Sequence, residues 1–375
     1  MRNKPAVQTA LLGSILIQLR SKRANSRSTL SKVTGLSPST VGLYVEQLLS
    51  ASLVTESGLE QGSMGRPKRK LSLCAEAGWF AGIEFNAERL RAVCVDFSGV
   101  QKHSLVTRLP ARIDTRTAIK EIKNSIAELG KLAEGSLFAV GVGAPGIIDP
   151  IAGRAIYYSY IPDWSNVPLV AEIQRRFHTP VTLENNLRAI ALAERWFGGG
   201  RGLEDYVVLG PRSGFGMAIV KNGKLVNGAH HAAGEIGFWS WPVEGKERKL
   251  DDALSSPAVW RRLNGLSPRC KLPSDLYEAL SAFSEESGKE WRSIVEEFAK
   301  LLELLQWLLD SHTYFLHGPL TALGERFCQA IIERLAARVP AFHGKLLNLV
   351  PSNLGDNAGA LGAASLAMEA WAPER

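Results

Sequence analysis

The stretch Leu183-Glu184-Asn185-Asn186 lies between a strand-like segment and the helix-like run Leu187–Phe197. Outward from it the same alternation repeats. Leu137–Val142 is a short apolar strand ending in Gly143-Ala144-Pro145-Gly146, and Trp79–Ile83 and Leu90–Phe97 read as paired strands. Thr115–Leu132 and Pro168–Phe177 have helical spacing. Strands that alternate with helices indicate an α/β fold with crossover connections. At the junction itself stand two amides. An amide orients a hydroxyl but takes no proton from it at neutral pH.

A chain of 375 residues is too long for one ordinary domain, so two or three are expected. No apolar run reaches membrane-spanning length. The Met1 end lacks an apolar core followed by a small-residue cleavage site. A membrane partner is therefore not expected, and a cytoplasmic location is. Cys74, Cys94, Cys270 and Cys328 are scattered without a C-x-x-C pair. They read as reduced, mostly buried thiols rather than a disulfide or zinc framework.

Charge is distributed unevenly. Residues 1–75 contain eleven Lys/Arg against three Asp/Glu, whereas the remaining 300 contain 33 against 34. That is the electrostatic footprint of a nucleic-acid-binding segment joined to a neutral body. Val7–Leu19 places Val7, Leu11, Leu12, Ile15, Leu16 and Leu19 at helical spacing. After a break at Ser21–Ser26, Arg27–Val33 forms a short second helix closed by Gly35. Ser37-Pro38 opens a third, with a hydroxyl at the cap and proline in the first turn. Helix, short turn with glycine, helix is a helix-turn-helix pattern. Leu53–Thr55 and Lys70–Leu73 read as strands flanking a wing whose tip, Gly65-Arg66-Pro67-Lys68-Arg69-Lys70, is slim and basic enough for a minor groove. The candidate DNA contacts are Arg27, Ser37, Ser39, Thr40 and Tyr44 on the helices and Arg66, Lys68, Arg69 and Lys70 on the wing.

Several motifs in order extend the reading to the whole chain: T-G-L-S-P-S-T-V (34–41), G-V-G-A-P-G-I-I-D-P (141–150), W-F-G-G-G-R-G (196–202), H-A-A-G-E-I-G (231–237) and L-G-D-N-A-G-A-L-G-A-A (354–364). Together they resemble the sugar-kinase-like ROK family (repressors, open reading frames, kinases). The resemblance implies an N-terminal winged helix-turn-helix over residues 1–75, followed by a two-lobed body of the actin/hexokinase (ribonuclease H-like) type. Its first lobe would span 76–190, completed by 355–375, and its second 191–354.

The same resemblance exposes departures. The run that usually reads E-N-D, with Asp as catalytic base, has Asn186 here. The first phosphate loop, usually D-x-G-G-T, reads Glu84-Phe85-Asn86-Ala87-Glu88, without either glycine. The second, usually L-G-T-G-x-G, reads Pro211-Arg212-Ser213-Gly214-Phe215-Gly216, and the late G-G-G motif reads His317-Gly318-Pro319. The zinc-binding His is replaced by Phe238 and the following Trp239–Leu250 contains no cysteine, so no metal site is expected. Phe238, Trp239 and Trp241 are expected to fill that volume with apolar packing.

No catalytic residue and no cofactor are assigned. The sugar-binding set implied by the family maps to Asn185, Asn186, Glu235, Asp251 and Gly146, with Tyr160 where an Asn often contacts the sugar. The expectation is a DNA-binding repressor of carbohydrate metabolism. It would bind a double-stranded operator as a homodimer or higher oligomer and sense a carbohydrate effector by lobe closure that moves paired winged helices out of register with their half-sites. Two alternatives stay open: an ATP-dependent sugar kinase with a regulatory DNA-binding domain, and a regulator whose body only dimerises or docks a protein.

Overall fold

Capping sets the first helices. Helix α1 (Lys4–Arg20) buries Leu12, Ile15, Leu16 and Leu19, which share one face at helical spacing. Helix α2 (Arg27–Thr34) starts at Ser26, whose hydroxyl accepts from Thr29 N while Thr29 Oγ1 accepts from Ser26 N at 3.0 Å. It ends on Gly35 at φ 69°, the left-handed conformation that glycine adopts without steric cost. Helix α3 (Pro38–Ser50) starts at Ser37, whose hydroxyl accepts from Thr40 N at 3.1 Å. Strands β1 (Val54–Glu60) and β2 (Lys68–Leu73) pair antiparallel as the wing's stem.

This computed structural model describes residues 4–60, 68–110, 112–242, 247–284, 288–340 and 347–373. The wing tip around Arg66 lies outside the described residues, as does the side chain of Lys68. The chain divides into two compact units, Met1–Leu192 with Gly359–Arg375, and Ala193–Ala358. Residues 1–75 group with the first unit.

In the first unit, β3 (Gly78–Phe85), β4 (Arg89–Asp96), β5 (Gln101–Arg108), β6 (Ser136–Ala144) and, further along the chain, β10 (Val181–Asn185) form a sheet in the order β10-β6-β3-β4-β5. The pairs β3–β4 and β4–β5 are antiparallel; β3–β6 and β6–β10 are parallel. Helix α4 (Thr115–Leu132), capped by Asp114, makes the crossover into β6 and buries Ile122, Ile126 and Leu129. A small sheet of β7 (Ile147–Asp149), β8 (Arg154–Tyr157) and β9 (Ser165–Val167) leads to α5 (Leu169–Phe177), which returns the chain to β10. Helix α6 (Asn186–Phe197) follows β10 directly.

The second unit repeats this topology. Strands β11 (Tyr206–Pro211), β12 (Phe215–Lys221), β13 (Lys224–Leu225), β14 (Thr313–Leu316) and β15 (Asn348–Pro351) are ordered β13-β12-β11-β14-β15, again antiparallel on one side and parallel on the other. Between β13 and β14 run α7 (Leu250–Leu254), α8 (Ser256–Leu263), α9 (Leu276–Ser281) and α10 (Lys289–Leu309). Phe298, Leu301, Leu302 and Leu305 of α10 are buried in the core, together with Phe327 and Ile331 of α11 (Gly324–Ala336). Of the four thiols, Cys94 and Cys328 are buried and Cys74 and Cys270 are half-buried.

The last helix, α12 (Ala358–Ala370), lies against the first sheet with almost no side chain between them. A Cβ added at Gly82 of β3 would overlap the Ala360 carbonyl, and one at Gly141 of β6 would overlap the Ala363 carbonyl. Only glycine permits that approach. Gly141→Val should therefore lower unfolding free energy by about 1–3 kcal/mol or more in a urea melt. Gly42 of α3 has nothing within 4 Å of its missing Cβ, so Gly42→Ala should instead gain about 0.5–1 kcal/mol.

Candidate functional site

The side chains around the β10–α6 junction are held from below by a buried ion pair. Glu184 Oε1 accepts from Arg188 Nε at 2.7 Å and from Asn185 N at 2.7 Å, with both charged side chains almost fully buried. Asn185 then caps α6: its Oδ1 accepts from Leu187 N at 2.9 Å and Arg188 N at 3.4 Å, and its Nδ2 donates to Gly146 O at 3.1 Å. Gly146 sits at φ 75°, where a Cβ would overlap Tyr157 O. The first unit thus brings Asn185, Asn186 and Gly146 together. Asn185 is engaged by the backbone. The half-buried Asn186 amide makes no hydrogen bond to any described residue.

Two segments that the resemblance aligns with nucleotide motifs have backbone N–H groups taken by the chain's own acceptors. After β3, Asn86 Oδ1 accepts from both Glu88 N and Arg89 N at 2.8 Å. Those are N–H groups that a phosphate cradle must leave open. In the second unit Arg212 N donates to Gly214 O at 2.7 Å, and Phe215 N donates to Asp251 Oδ1 at 2.5 Å. A Cβ at Gly318 would meet Arg212 Cγ at 3.0 Å, so the late motif lies against that arginine. The glycine-rich turn after α6 closes on Glu194: Gly198 N and Gly200 N donate to its carbonyl at 3.1 Å, and Gly199 N to its Oε2 at 3.0 Å. Burial pushes the Glu194 carboxyl above its ordinary range, opposed by bonds from Ser352 and Gly199.

Glu235 and Asp251 lie in the second unit. Glu235 is half-buried at the head of a short 3₁₀ turn. Asp251 is wedged against Gly237 and Gly214, leaving no space for a Cβ at Gly237. Burial raises its pKa, while the Phe215 hydrogen bond pulls it down. Among the described residues no cluster of three or more His, Cys, Asp or Glu is arranged to hold a metal. The expected aromatic filling is corrected at one position. Trp241 is buried and Trp239 packs on the core, but Phe238 is 65% exposed, under the Lys249 ammonium at 5.2 Å. The short turn Ile236–Phe238 points that ring outward. Tyr160 is exposed too, its ring tilted against that of Tyr158 with centroids 5.4 Å apart.

On the candidate DNA face, Ser37 and Ser39 are exposed at the start of α3, with their hydroxyls 2.9 Å apart, and Thr40 is half-buried with its hydroxyl 2.7 Å from that of Ser37. Tyr44 does not join them. It is 8% exposed, because positions 41, 44, 45 and 48 form the inward stripe of α3. Leu43 takes the outward position. Arg27 is paired with Glu46 at 2.6 Å and with Glu56, and Arg69 pairs with that same Glu56. These arginines hold the Glu56 carboxyl below its ordinary range. Lys70 and Lys32 are exposed cations of the same N-terminal segment. Sequence reasoning passed over Lys32 and Asn86; an Asn two residues before an exposed acid at a strand end was the available signal for the closed turn.

The family model described as ROK family matches residues 80–370. The chain belongs to the ROK family. The xylose repressor of Bacillus spizizenii is 26% identical over 366 residues, covering 92% of this chain and 91% of that protein. The glucokinase of Thermotoga maritima is 28% identical over 273 residues, covering 67% and 85%. Among solved structures, a ROK family transcriptional regulator described as a homolog of the E. coli MLC protein superposes with a TM-score of 0.80 at 19% identity, covering 97% of each chain. That likeness establishes the shared fold. Among the described residues no helix is long and apolar enough to cross a membrane.

If Asp251 frames the loop, Asp251→Ala should cost about 1–3 kcal/mol of stability by stranding the Phe215 N–H. Asp251→Asn, which keeps an acceptor, should cost less. Chemical denaturation of both variants checks the order.

Proposed function

We propose that this ROK chain is a transcriptional repressor of carbohydrate metabolism that binds double-stranded DNA and transfers no phosphoryl group. One observation carries the reading: the turn after β3 spends the Glu88 and Arg89 N–H groups on Asn86. Phosphoryl transfer rests on positioned phosphates, metal and base, and the residue in the base position is Asn186. The repressor-named relative aligns over 92% of the chain, a span that includes part or all of the basic head.

The head, residues 1–75, would present Ser37, Ser39 and Thr40 to the major groove and the wing cations, Arg66, Lys68, Arg69 and Lys70, to the neighbouring backbone or minor groove. Ser37, engaged in capping, positions the helix terminus whose N–H groups face phosphate. Arg27, balanced by Glu46 and Glu56, would tie helix to wing. The body, first lobe 76–190 with 355–375 and second lobe 191–354, would take a carbohydrate effector and pair two copies on two half-sites in the cytoplasm. Asn186 offers the open amide for a sugar hydroxyl, Asn185 and Gly146 frame it, and Glu235 and Asp251 are the carboxylates assigned to the second lobe.

Fluorescence anisotropy with the chain's own upstream DNA tests this. Affinity should fall steeply with salt, log K dropping by roughly 0.9 per phosphate contact for each tenfold rise in salt. Lys70→Gln should lower that slope by about one. Arg27→Gln should leave the slope nearly unchanged and act on stability. Adding aldoses, beginning with xylose, should weaken binding in wild type and less so in Asn186→Ala. Salt-independent binding, or no response to any sugar, would sink the corresponding half of the proposal.

A further inference from the structure

Arg20, the last residue of α1, is 6% exposed and pairs with no carboxylate among the described residues. Its Nε donates to Phe97 O at 3.0 Å, at the end of β4, and its Nη1 donates to Met368 O at 3.0 Å. Its guanidinium lies over the rings of Phe97 and Phe80, 4.5 and 4.9 Å from their centroids. The second terminal nitrogen has no hydrogen-bond partner among the described residues. Burial lowers the pKa of the group to about 9.

A buried cation without a counter-ion is a poor stabiliser; an apolar side chain of similar length would satisfy the same volume at lower cost. What the guanidinium does supply is direction. Met368 is in the last turn of α12, where carbonyls lack intrahelical donors and a cation is favoured. The surrounding rings, Phe80, Phe97, Phe138 and Trp371, interlock, with Phe138 and Trp371 stacked at 4.5 Å. Gly13 of α1 faces Ala372 just beyond the same helix end. At its other end α12 is seated against the effector-side residues. A Cβ on Gly362 would overlap the carbonyl of Ala189, one turn after Asn186, and a Cβ on Gly359 would meet Glu84 Cγ at 2.5 Å.

We infer that Arg20 is a positioning residue that bolts the DNA-binding head to α12, so that the head and the helix lying beside Asn186 move as one body. The fork bridges two backbone carbonyls from different elements, and its planar shape fixes the angle at which α1 meets them. The DNA arm of the test rests on the function proposed above; the exchange arm does not.

Hydrogen exchange on the full chain, with Arg20→Met and Arg20→Lys, decides it. In Arg20→Met the melting temperature should hold or rise. Amides of residues 27–50 should exchange at least about tenfold faster, while those of 359–367 keep their protection. Affinity for the upstream duplex should drop in step. Arg20→Lys, able to reach one carbonyl at a time, should fall between. Unchanged head protection in Arg20→Met overturns the bolt. So does a chain that melts as one body, with head and α12 amides losing protection together. Full protection in Arg20→Lys overturns the two-carbonyl bridge. Wild type that binds no duplex defeats the functional proposal, and the exchange comparison still decides the role of Arg20.

Discussion

Backbone-to-backbone contact between α12 and the first sheet is the constraint on which this molecule depends. Gly82 and Gly141 remove side chains from two adjacent strands at the places where the carbonyls of Ala360 and Ala363 descend. Gly362 does the same toward Ala189 on α6. A helix seated this closely cannot slide without breaking contacts on several elements at once, since packed interiors deform in discrete steps rather than continuously. The β10–α6 junction, the ends of β3 and β4 and the foot of α1 are thereby referred to one rigid element.

In three loops backbone N–H groups are taken by internal acceptors: Asn86 after β3, Asp251 and the Gly214 carbonyl beside β12, Glu194 after α6. Satisfying these donors internally avoids the cost of leaving them unpaired when no nucleotide is present. The amide of Asn186 makes no hydrogen bond to any described residue. It can accept or donate a hydrogen bond to a hydroxyl, which is the chemistry of recognition without proton transfer.

How much was legible in the sequence follows from how local each signal was. Ser37-Pro38 and Gly35 marked helix ends because capping is decided within four residues. The strand–helix alternation fixed the α/β class for the same reason. The outward ring of Phe238 was not legible: its orientation depends on a 3₁₀ turn and on Lys249, eleven positions away. Tyr44 was assigned to the groove by position in the motif, although its place on the 41–44–45–48 stripe pointed inward. Arg20 is one of the eleven Lys/Arg of residues 1–75. Its burial rests on partners 77 and 348 residues away, which no local pattern encodes.

The central claim is that a sugar-kinase fold here recognises without catalysing. Transfer of labelled γ-phosphate from Mg·ATP to an aldose panel tests it most directly, with wild type and Asn186→Asp assayed side by side. No label should reach sugar in either protein, because restoring a carboxylate at 186 leaves the Glu88 and Arg89 amides bound to Asn86. Sugar phosphorylation above the protein-free rate, in either protein, would contradict the account.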